Sequence, residues 1–142
     1  NDYFFQVSLN IKDSAIIYYM VIYLLVTKKI NENKSNLTNS LVDILLIQNI
    51  KHIKIYEPKL DIYSDHVIIS TATSNTQMNS ALTKIIKHIK SLGLEALSEG
   101  INSSWILLQS NGISLHIFTE EARDYYSIED LYFDSNLVNQ YG

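Results

Sequence analysis

The residue types that do most enzyme chemistry are present in this chain, but not at the spacings that catalysis or metal binding needs. The four histidines match neither H-x-x-E-H nor H-E-x-x-H, the spacings at which two histidines share a metal ion. Asp61 and Asp65 stand four residues apart in a predicted loop and could pair as carboxylates, but a D-x-D motif for metal-dependent nucleotide transfer is absent. The serines form no G-x-S-x-G elbow, and with no cysteine the chain has no thiol nucleophile. We therefore expect neither a catalytic centre nor a metal site.

Phosphate binding has one weak candidate in the sequence. Neither a G-x-x-x-x-G-K-[ST] loop nor a G-x-G-x-x-G loop occurs, and the chain has only four glycines. Residues 71–74 (TATS) form a predicted strand-to-helix turn whose amides would open at a helix N-terminus, where anions can bind. Helix capping alone explains these residue types, so we expect a structural turn there and no cofactor.

Local charge is the most unusual feature of the sequence. Between residues 119 and 134 six acids oppose a single base, which gives this segment a net charge of −5 against −4 for the whole chain. Five aromatic residues are interleaved with these acids or flank them: Phe118, Tyr125, Tyr126, Tyr132 and Phe133. Such a segment is suited to docking on a basic protein, because aromatic residues carry interface energy and complementary charge speeds encounter. The alternative is a solvated helix whose aromatic residues face the core, and the overall negative charge argues against a broad nucleic-acid-binding face.

Two longer helices are predicted to support these residues. Apolar residues at helical spacing indicate one helix over residues 36–49. A clearer helix covers residues 75–92, where Ser74 and Gln77 form a capping box at the start and Gly93 supplies a left-handed stop at the end.

Strands account for most of the remaining apolar residues. Short β-branched or alternating runs predict strands at residues 53–56, 65–71, 95–97, 105–108 and 113–118. Asn111 and Gly112 predict a hairpin between the last two, because both residue types tolerate positive φ. Thr119 can then cap a short acidic helix, and Ser127 with Asp130 repeats a capping-box pattern for a last turn. The order α-β-β-α-β-β-β-α predicts a single α/β domain whose mixed sheet is flanked by helices.

The ends of the chain fall outside this predicted domain, which we place at residues 36–134. Residues 1–35 are predicted as an extra N-terminal segment and linker, and residues 135–142 as a C-terminal tail. Residues 15–26 are apolar or tyrosine, a run shorter than the roughly 20 residues of a membrane-spanning helix and without the basic start of a secretory signal. Residues 28–36 are polar and predict the linker. We expect the N-terminal segment to pack on the domain as a helical or β-rich element, with a loosely attached leader and a membrane anchor as the alternatives.

Four segments of the domain carry motifs of one known family. The family sequence A-D-Y-F-V-I-A-T-G-T-S-N is similar to residues 64–75 (SDHVIISTATSN), and A-G-L-x-P-L-G-x-E-G is similar to residues 92–100 (LGLEALSEG). The strand W-[IV]-[LV]-[LV]-D is similar to residues 105–109 (WILLQ), and H-V-F-x-x-E-x-R-x-x-Y-x-[LI]-E-x-L-W is similar to residues 116–132. Because these motifs stand in register over residues 37–133, the chain resembles the ribosomal silencing factor family, also called Iojap or RsfS.

Several positions depart from the family pattern. Ala72 replaces a glycine, so the strand-to-helix turn is expected to be less open, and Asn111 with Gly112 replaces a Gly-Asp turn. Gln109 replaces an aspartate and Tyr132 replaces a tryptophan, which could weaken a contact with a partner. None of these changes removes the expected fold.

The resemblance implies a binding protein and not an enzyme. Members of the family bind the large ribosomal subunit through the fourteenth large-subunit ribosomal protein, block joining of the small subunit and so repress translation, and organellar relatives assist large-subunit assembly. Their fold is similar to that of nucleotidyltransferase domains without the catalytic acids, and homodimers are common. For this chain the resemblance therefore implies a ribosomal partner, a homodimer when free, no cofactor, no small-molecule substrate and no direct membrane contact.

The resemblance and the acidic segment together indicate the residues that bind the partner. They are Trp105, His116, Phe118, Glu121, Arg123, Tyr126, Glu129 and Tyr132. Trp105 and Phe118 are equally compatible with core packing, and Arg123 with an internal ion pair. Glu121 and Glu129 are expected to pair with basic groups of the ribosomal protein. The strand-to-helix turn is expected to be held by Asp65, Thr73, Ser74 and Asn75.

Two other functions stay open from the sequence. A degenerate nucleotidyltransferase-like enzyme would be recognised by magnesium-dependent nucleotide turnover. A purely structural dimerisation module would form a dimer in solution that does not bind ribosomes. The bacterial cytoplasm is the expected compartment. A mitochondrial or plastid matrix is the alternative, if residues 1–35 are the remainder of a trimmed leader.

Overall fold

The computed structural model of the chain describes the backbone of residues 2–59 and 64–142. Side chains are described from residue 15 onward, apart from residues 31, 34, 35 and 60–63. The chain divides into two compact units, residues up to Asn36 and Leu37–Gly142. Asp61 lies outside the described residues, so its predicted pairing with Asp65 has no structural counterpart here.

Within the described residues, four helical elements and six strands follow one another. They are α1 (Asp2–Ile47), β1 (Lys51–Glu57), β2 (His66–Ala72), α2 (Asn75–Ser91), β3 (Leu97–Glu99), β4 (Trp105–Ser110), β5 (Ile113–Thr119), α3 (Glu120–Tyr126), a 3₁₀ turn that we call η1 (Ile128–Tyr132), and β6 (Asn136–Tyr141). The predicted α/β class is confirmed.

The six described strands form one mixed sheet in the order β3-β4-β5-β2-β1-β6. The central pair, β2 and β5, is parallel, and every other neighbouring pair is antiparallel. Parallel neighbours need a long crossover connection, which α2, β3 and β4 supply between β2 and β5. The predicted mixed sheet flanked by helices is therefore confirmed, while the similarity to nucleotidyltransferase domains stays a prediction.

One side of the sheet, the helical face, carries the main core. Alternate residues of the strands point to this side and pack against α2 and the part of α1 that begins at Leu37. Leu41 and Leu45 of α1, Ile85 of α2 and Ile106 of β4 are all fully buried. Burial of this many aliphatic side chains supplies most of the hydrophobic stabilisation of the unit.

The opposite side, the aromatic face, carries a smaller cluster. Its buried members are Tyr56, Val67, Ile69, Phe118, Ala122 and Ile128, with Trp105 and Tyr132 packed against them. Here α3 and η1 lie against β1, β2 and β5, so the acidic segment is built onto this face. The two faces thus differ in both the size and the chemistry of what they bury.

Two turns agree in detail with the sequence. Asn111 and Gly112 join β4 to β5 with φ of 49° and 79°, as a tight hairpin turn with two left-handed residues requires. At the end of α2, Gly93 has φ of 77°, and the amide of Leu94 donates to the Ile89 carbonyl at 3.2 Å, which closes the helix.

The predicted linker is wrong as local structure. Residues 28–36 are helical and belong to α1, which also contains most of the helix predicted at residues 36–49. The physical reason is that this polar stretch contains neither proline nor glycine, and polarity alone does not end a helix. The apolar residues before it lie in the same helix, and ten consecutive side chains from Ile17 to Val26 are exposed.

The predicted C-terminal tail and one predicted cap are also wrong. Within residues 135–142, β6 pairs antiparallel with β1 and extends the sheet, because the outer edge of β1 would otherwise leave backbone groups unpaired. Ser127 does not cap η1, since its hydroxyl donates to the Asp124 carbonyl at 3.1 Å instead. The short strand predicted at residues 95–97 forms two residues later, as β3.

Candidate functional site

A stack of aromatic rings is built on β4 and β5, whose side chains alternate between the two faces of the sheet. The Trp105 ring lies 4.9 Å from the Phe118 ring with an interplanar angle of 27°, and the His116 ring lies beside both, 5.9 Å from each. Phe118 is fully buried and His116 is 6% exposed. The Trp105 indole N–H donates to Nδ1 of His116 at 3.0 Å, so the two rings are fixed by a hydrogen bond as well as by packing.

The environment of His116 keeps its ring neutral. Burial lowers the pKa of His116 from 6.5 to about 4, because the charged imidazolium is poorly solvated there. The bond from Trp105 requires an unprotonated Nδ1, which is consistent with the neutral ring. His116 therefore acts in this structure as a hydrogen-bond acceptor that orients Trp105.

The aromatic stack continues from β4 onto α3 and reaches the surface. The Trp105 ring is 4.9 Å from the Tyr126 ring, which is in turn 5.1 Å from the Tyr125 ring. Tyr126 is half-exposed, and Tyr125 is 82% exposed. A path of contacting rings thus leads from the buried Phe118 to solvent at α3.

A second set of contacts ties the acidic segment to the sheet. Arg123 of α3 donates from Nε to the Glu129 carboxylate at 2.7 Å, and Lys54 of β1 donates to the same carboxylate at 3.0 Å. Arg123 also donates from Nη1 to the Thr71 hydroxyl at 2.7 Å and to the His52 carbonyl at 2.6 Å. We call these five residues the clasp, since they join α3 and η1 to β1 and β2.

Electrostatics within the clasp favour the ionised carboxylate. Burial by itself would raise the pKa of Glu129, but the hydrogen bonds from Arg123 and Lys54 outweigh it and bring this pKa below its ordinary value. The Arg123 side chain is only 10% exposed. Burial also raises the pKa of the neighbouring Tyr56, whose ring stacks on that of Tyr132 at 5.6 Å.

The predicted partner-binding residues fall into two groups in this structure. Glu121 and Tyr126 present exposed surface, and Trp105 and Tyr132 are partly buried. Phe118 and His116 are buried, and the Arg123 and Glu129 side chains engage each other. The side chains of this second group are therefore engaged mainly with their own chain.

Sequence reasoning missed three exposed apolar residues as candidate contacts. Tyr125 and Phe133 were noticed only as members of an aromatic pattern, and Leu131 only within the motif of residues 116–132, yet Phe133 is 86% and Leu131 is 69% exposed. The exposure of Leu131 and of the following Phe133 is explained by the 3₁₀ turn η1, which changes the spacing of the side chains that face the core. A helical pattern over residues 128–133 could not reveal that change.

Thr73 and Ser74 make hydrogen bonds at the strand-to-helix turn as predicted, whereas the prediction for Asp65 is wrong, because Asp65 precedes β2 at the end of that strand remote from the turn. Ser74 accepts from the Gln77 amide at 3.1 Å, and the Gln77 side chain accepts from both the amide and the hydroxyl of Thr73, at 2.7 and 3.1 Å. Asn75 opens α2, and the amide of Asp65 donates to the Gly112 carbonyl at 2.7 Å. Because Gln77 already occupies the Thr73 amide, this turn is occupied by its own chain at the point where an anion would bind.

Metal-binding and membrane-spanning features were sought in the described part of the chain. No group of three or more His, Asp or Glu side chains there is arranged to hold a metal ion. Within the same described residues, no helix combines the length and the apolar character needed to cross a membrane.

Comparison with known proteins identifies the family of this domain. Residues 28–141 match the family model described as ribosomal silencing factor during starvation, RsfS. A ribosomal silencing factor from Haemophilus influenzae is 32% identical over 71 residues, which cover 49% of this chain and 70% of that protein. One from Zymomonas mobilis is 28% identical over 71 residues, which cover 49% of this chain and 53% of that protein.

Solved structures support the fold. A crystal structure of a Chromobacterium violaceum protein is similar with a TM-score of 0.64 and 25% identity, covering 69% of this chain and 84% of that one. A Bacillus halodurans protein is similar with a TM-score of 0.65 and 20% identity, covering 74% of this chain and 98% of that one. The second likeness is one of fold alone.

Proposed function

The chain belongs to the RsfS family of ribosomal silencing factors, and from this membership we propose that it binds the large ribosomal subunit through the fourteenth large-subunit ribosomal protein. Bound there, it blocks joining of the small subunit and so represses translation, or it assists assembly of the large subunit. The role is one of binding and not of catalysis. The bacterial relatives favour the bacterial cytoplasm as its compartment, and a homodimer in the free state follows from the family resemblance.

The observation that carries the proposal is a set of exposed side chains on α3, on η1 and at Phe133 directly after η1. We call it the docking surface, and it consists of Glu120, Glu121, Asp124, Tyr125, Tyr126, Asp130, Leu131 and Phe133. Four acids and four large apolar side chains are exposed within fourteen residues of one another. Exposed apolar groups among charges of one sign are typical of a surface that binds a partner of opposite charge.

The two kinds of residue in the docking surface have different tasks. The exposed rings and Leu131 would lose contact with water on binding and so supply most of the affinity. The carboxylates would speed the approach of a basic ribosomal protein, and their effect would fall with added salt. The partly buried Trp105 contacts Tyr126 directly, and the buried His116 and Phe118 pack against Trp105, so these three rings support Tyr126 from within the domain.

Co-sedimentation with purified large subunits tests the proposal directly. The wild-type chain should pellet with large subunits at low salt and less at high salt, and it should lower the yield of joined ribosomes in a gradient. The double variant Tyr125→Ala with Phe133→Ala should bind at least tenfold more weakly, because both side chains are exposed anchors. Leu97→Ala, at an exposed residue of β3, is the matched control and should bind as the wild type does.

Two results would contradict the proposal. If the chain does not bind large subunits at low salt, where charge attraction is strongest, the proposed ribosomal partner is wrong. If Leu97→Ala and the double variant lose binding equally, the assignment of binding to the docking surface is wrong.

A further inference from the structure

We propose that the clasp is a positioning device for the docking surface, with Lys54 and Glu129 as its positioning residues. This inference rests on the proposed function, because it concerns how the same surface is held ready for its partner. The structure assigns Glu129 an internal task that differs from the partner contact expected from the sequence: its carboxylate holds two cations of its own chain. Lys54 gains a role that no sequence pattern indicated.

The geometry shows why the acidic segment needs such a device. Helix α3 has seven residues and η1 has five, and both are too short to be stable without contacts to the sheet. Only Ala122 and Ile128 of these two elements are buried. Apolar packing is therefore sparse on the segment, and the charged contacts supply much of its attachment.

The contacts of the clasp span the sheet and not just the segment. Lys54 and Glu129 are 75 residues apart in sequence, and Arg123 lies 52 residues from Thr71. Arg123 sits on α3 and Glu129 on η1, so their ion pair also fixes the angle between these two elements across Ser127, which has φ of 48°. One carboxylate thus holds both helical elements to β1 and to each other.

The backbone of β1 is shaped to complete the clasp. His52 has a left-handed conformation with φ of 50°, and the register of β1 against β2 shifts between Lys51 and Lys54. A bulge of this kind re-aims a backbone group, and here the His52 carbonyl accepts from Arg123 at 2.6 Å. Non-glycine residues adopt this conformation at an energetic cost, and such costs concentrate at functional sites.

The clasp also separates the acids of the segment into two classes. Glu129 is neutralised within the chain by Arg123 and Lys54, whereas Glu121 and Asp130 are exposed members of the docking surface. A partner therefore meets a preformed surface whose charge comes from the exposed acids. Because ordering a flexible segment on binding lowers affinity, a segment ordered in advance binds more tightly and faster.

Hydrogen exchange and subunit binding, measured on the same variants of the full chain, test this inference. Glu129→Gln keeps the shape of the side chain and removes its charge. We expect amides of residues 120–133 to exchange about tenfold faster, amides of α2 to be unchanged, and binding to large subunits to weaken several-fold through a slower association. Lys54→Met should give a smaller effect in the same direction, because the pair of Arg123 and Glu129 remains.

Three controls distinguish positioning from loss of charge or of stability. Asp130→Asn removes the same charge from the next residue, which is exposed, and should leave exchange unchanged. Lys51→Met is the exposed match for Lys54 on the same strand. Ile106→Val lowers stability through the helical face and should leave both exchange in residues 120–133 and subunit binding unchanged at temperatures well below unfolding.

The outcomes separate this inference from the proposed function. Unchanged hydrogen exchange of residues 120–133 in Glu129→Gln would overturn the clasp as the device that orders the segment. An equal increase of that exchange in Asp130→Asn would overturn it as well. Faster exchange with wild-type binding would overturn its positioning role. Failure of the wild type to bind large subunits would overturn the proposed function alone, since the exchange measurements would still decide whether the clasp orders the segment.

Discussion

The two faces of the sheet are built on the same strands but differ in what they bury. The helical face buries mainly aliphatic side chains from α1, α2 and alternate strand positions. The aromatic face buries fewer apolar residues and adds a neutral histidine, an indole hydrogen bond and an ion-pair network. Aliphatic packing stabilises the fold by excluding water, whereas ion pairs can remain partly solvated. The helical face therefore supplies most of the stability, and the aromatic face attaches the segment that carries the exposed side chains.

This difference explains why a small domain can carry an exposed, charged and aromatic surface. The stability of the sheet is supplied on one side, so the other side is free to keep polar groups that contribute less to folding.

Truncation on the helical face should give the largest loss of stability. Ile106→Ala removes a fully buried side chain from β4 and should lower the free energy of unfolding by about 3 kcal/mol, because the cavity cannot close between the sheet and α2. Chemical denaturation measures the loss. Ile47→Ala, at a side chain 75% exposed, is the control and should change stability by less than about 0.5 kcal/mol. A similar decrease in the free energy of unfolding in Ile106→Ala and Ile47→Ala would mean that the helical face does not contain the main core.

Acid should weaken the fold through the aromatic face. The unfolded His116 takes a proton as the pH falls through 6.5, whereas the folded ring does so only near 4, so the unfolded state binds more protons between these values. The stability present above pH 6.5 is therefore lost as the pH falls, by about 2 kcal/mol between pH 7 and pH 5 from this group. Denaturation curves of the wild type and of His116→Gln, compared at both pH values, isolate the contribution. A wild-type pH dependence that survives in His116→Gln would assign it to other groups.

The hydrogen bond between Trp105 and His116 should contribute less than the pH effect. Trp105→Phe keeps an aromatic ring but leaves Nδ1 of the buried His116 without its donor, at a cost of about 1.5 kcal/mol. Because that bond favours the neutral ring, its loss should also raise the pKa of His116, which NMR titration measures. Tyr126→Phe is the control, since it keeps the ring that contacts Trp105 and should change stability by less than about 0.5 kcal/mol. An unchanged pKa in Trp105→Phe would contradict the proposed role of the bond.

The contrast between the faces also explains what could be predicted from the sequence. The periodic helix α2, the strands β2, β4 and β5, and the hairpin at Asn111 and Gly112 depend on neighbouring residues, and local pattern predicts them. These elements include most of the helical face. The family motifs fall on the same elements and on the acidic segment, and Glu121 and Tyr126 are the two predicted partner-binding residues that belong to the proposed docking surface.

Long-range partners could not be predicted in this way. The strand β6 is exposed and weakly patterned, and it forms because β1 offers an unpaired edge. The sequence indicated that Arg123 could form an internal ion pair, but not that Lys54 would reach the same carboxylate from 75 residues away. Periodicity shows which way a side chain faces on its own element and not which distant residue it meets, so the clasp became visible only in the fold.

The smallest predicted effects come from the two helix caps, one on each face. Ser74 accepts from the Gln77 amide at 3.1 Å at the start of α2, and Thr119 accepts from the Ala122 amide at 3.3 Å at the start of α3. Ser74→Ala should lower the free energy of unfolding by about 1 kcal/mol, because α2 is part of the core and forms only with the whole domain. Thr119→Ala should lower the free energy of unfolding by about 0.5 kcal/mol, because the seven-residue α3 can loosen while the sheet stays folded.

Hydrogen exchange distinguishes the two variants. Thr119→Ala should speed exchange mainly within α3, while Ser74→Ala should speed exchange only through global unfolding. Equal global losses with no local exchange difference would show that α3 folds as one unit with the helical face, and the division of tasks between the two faces would then be wrong.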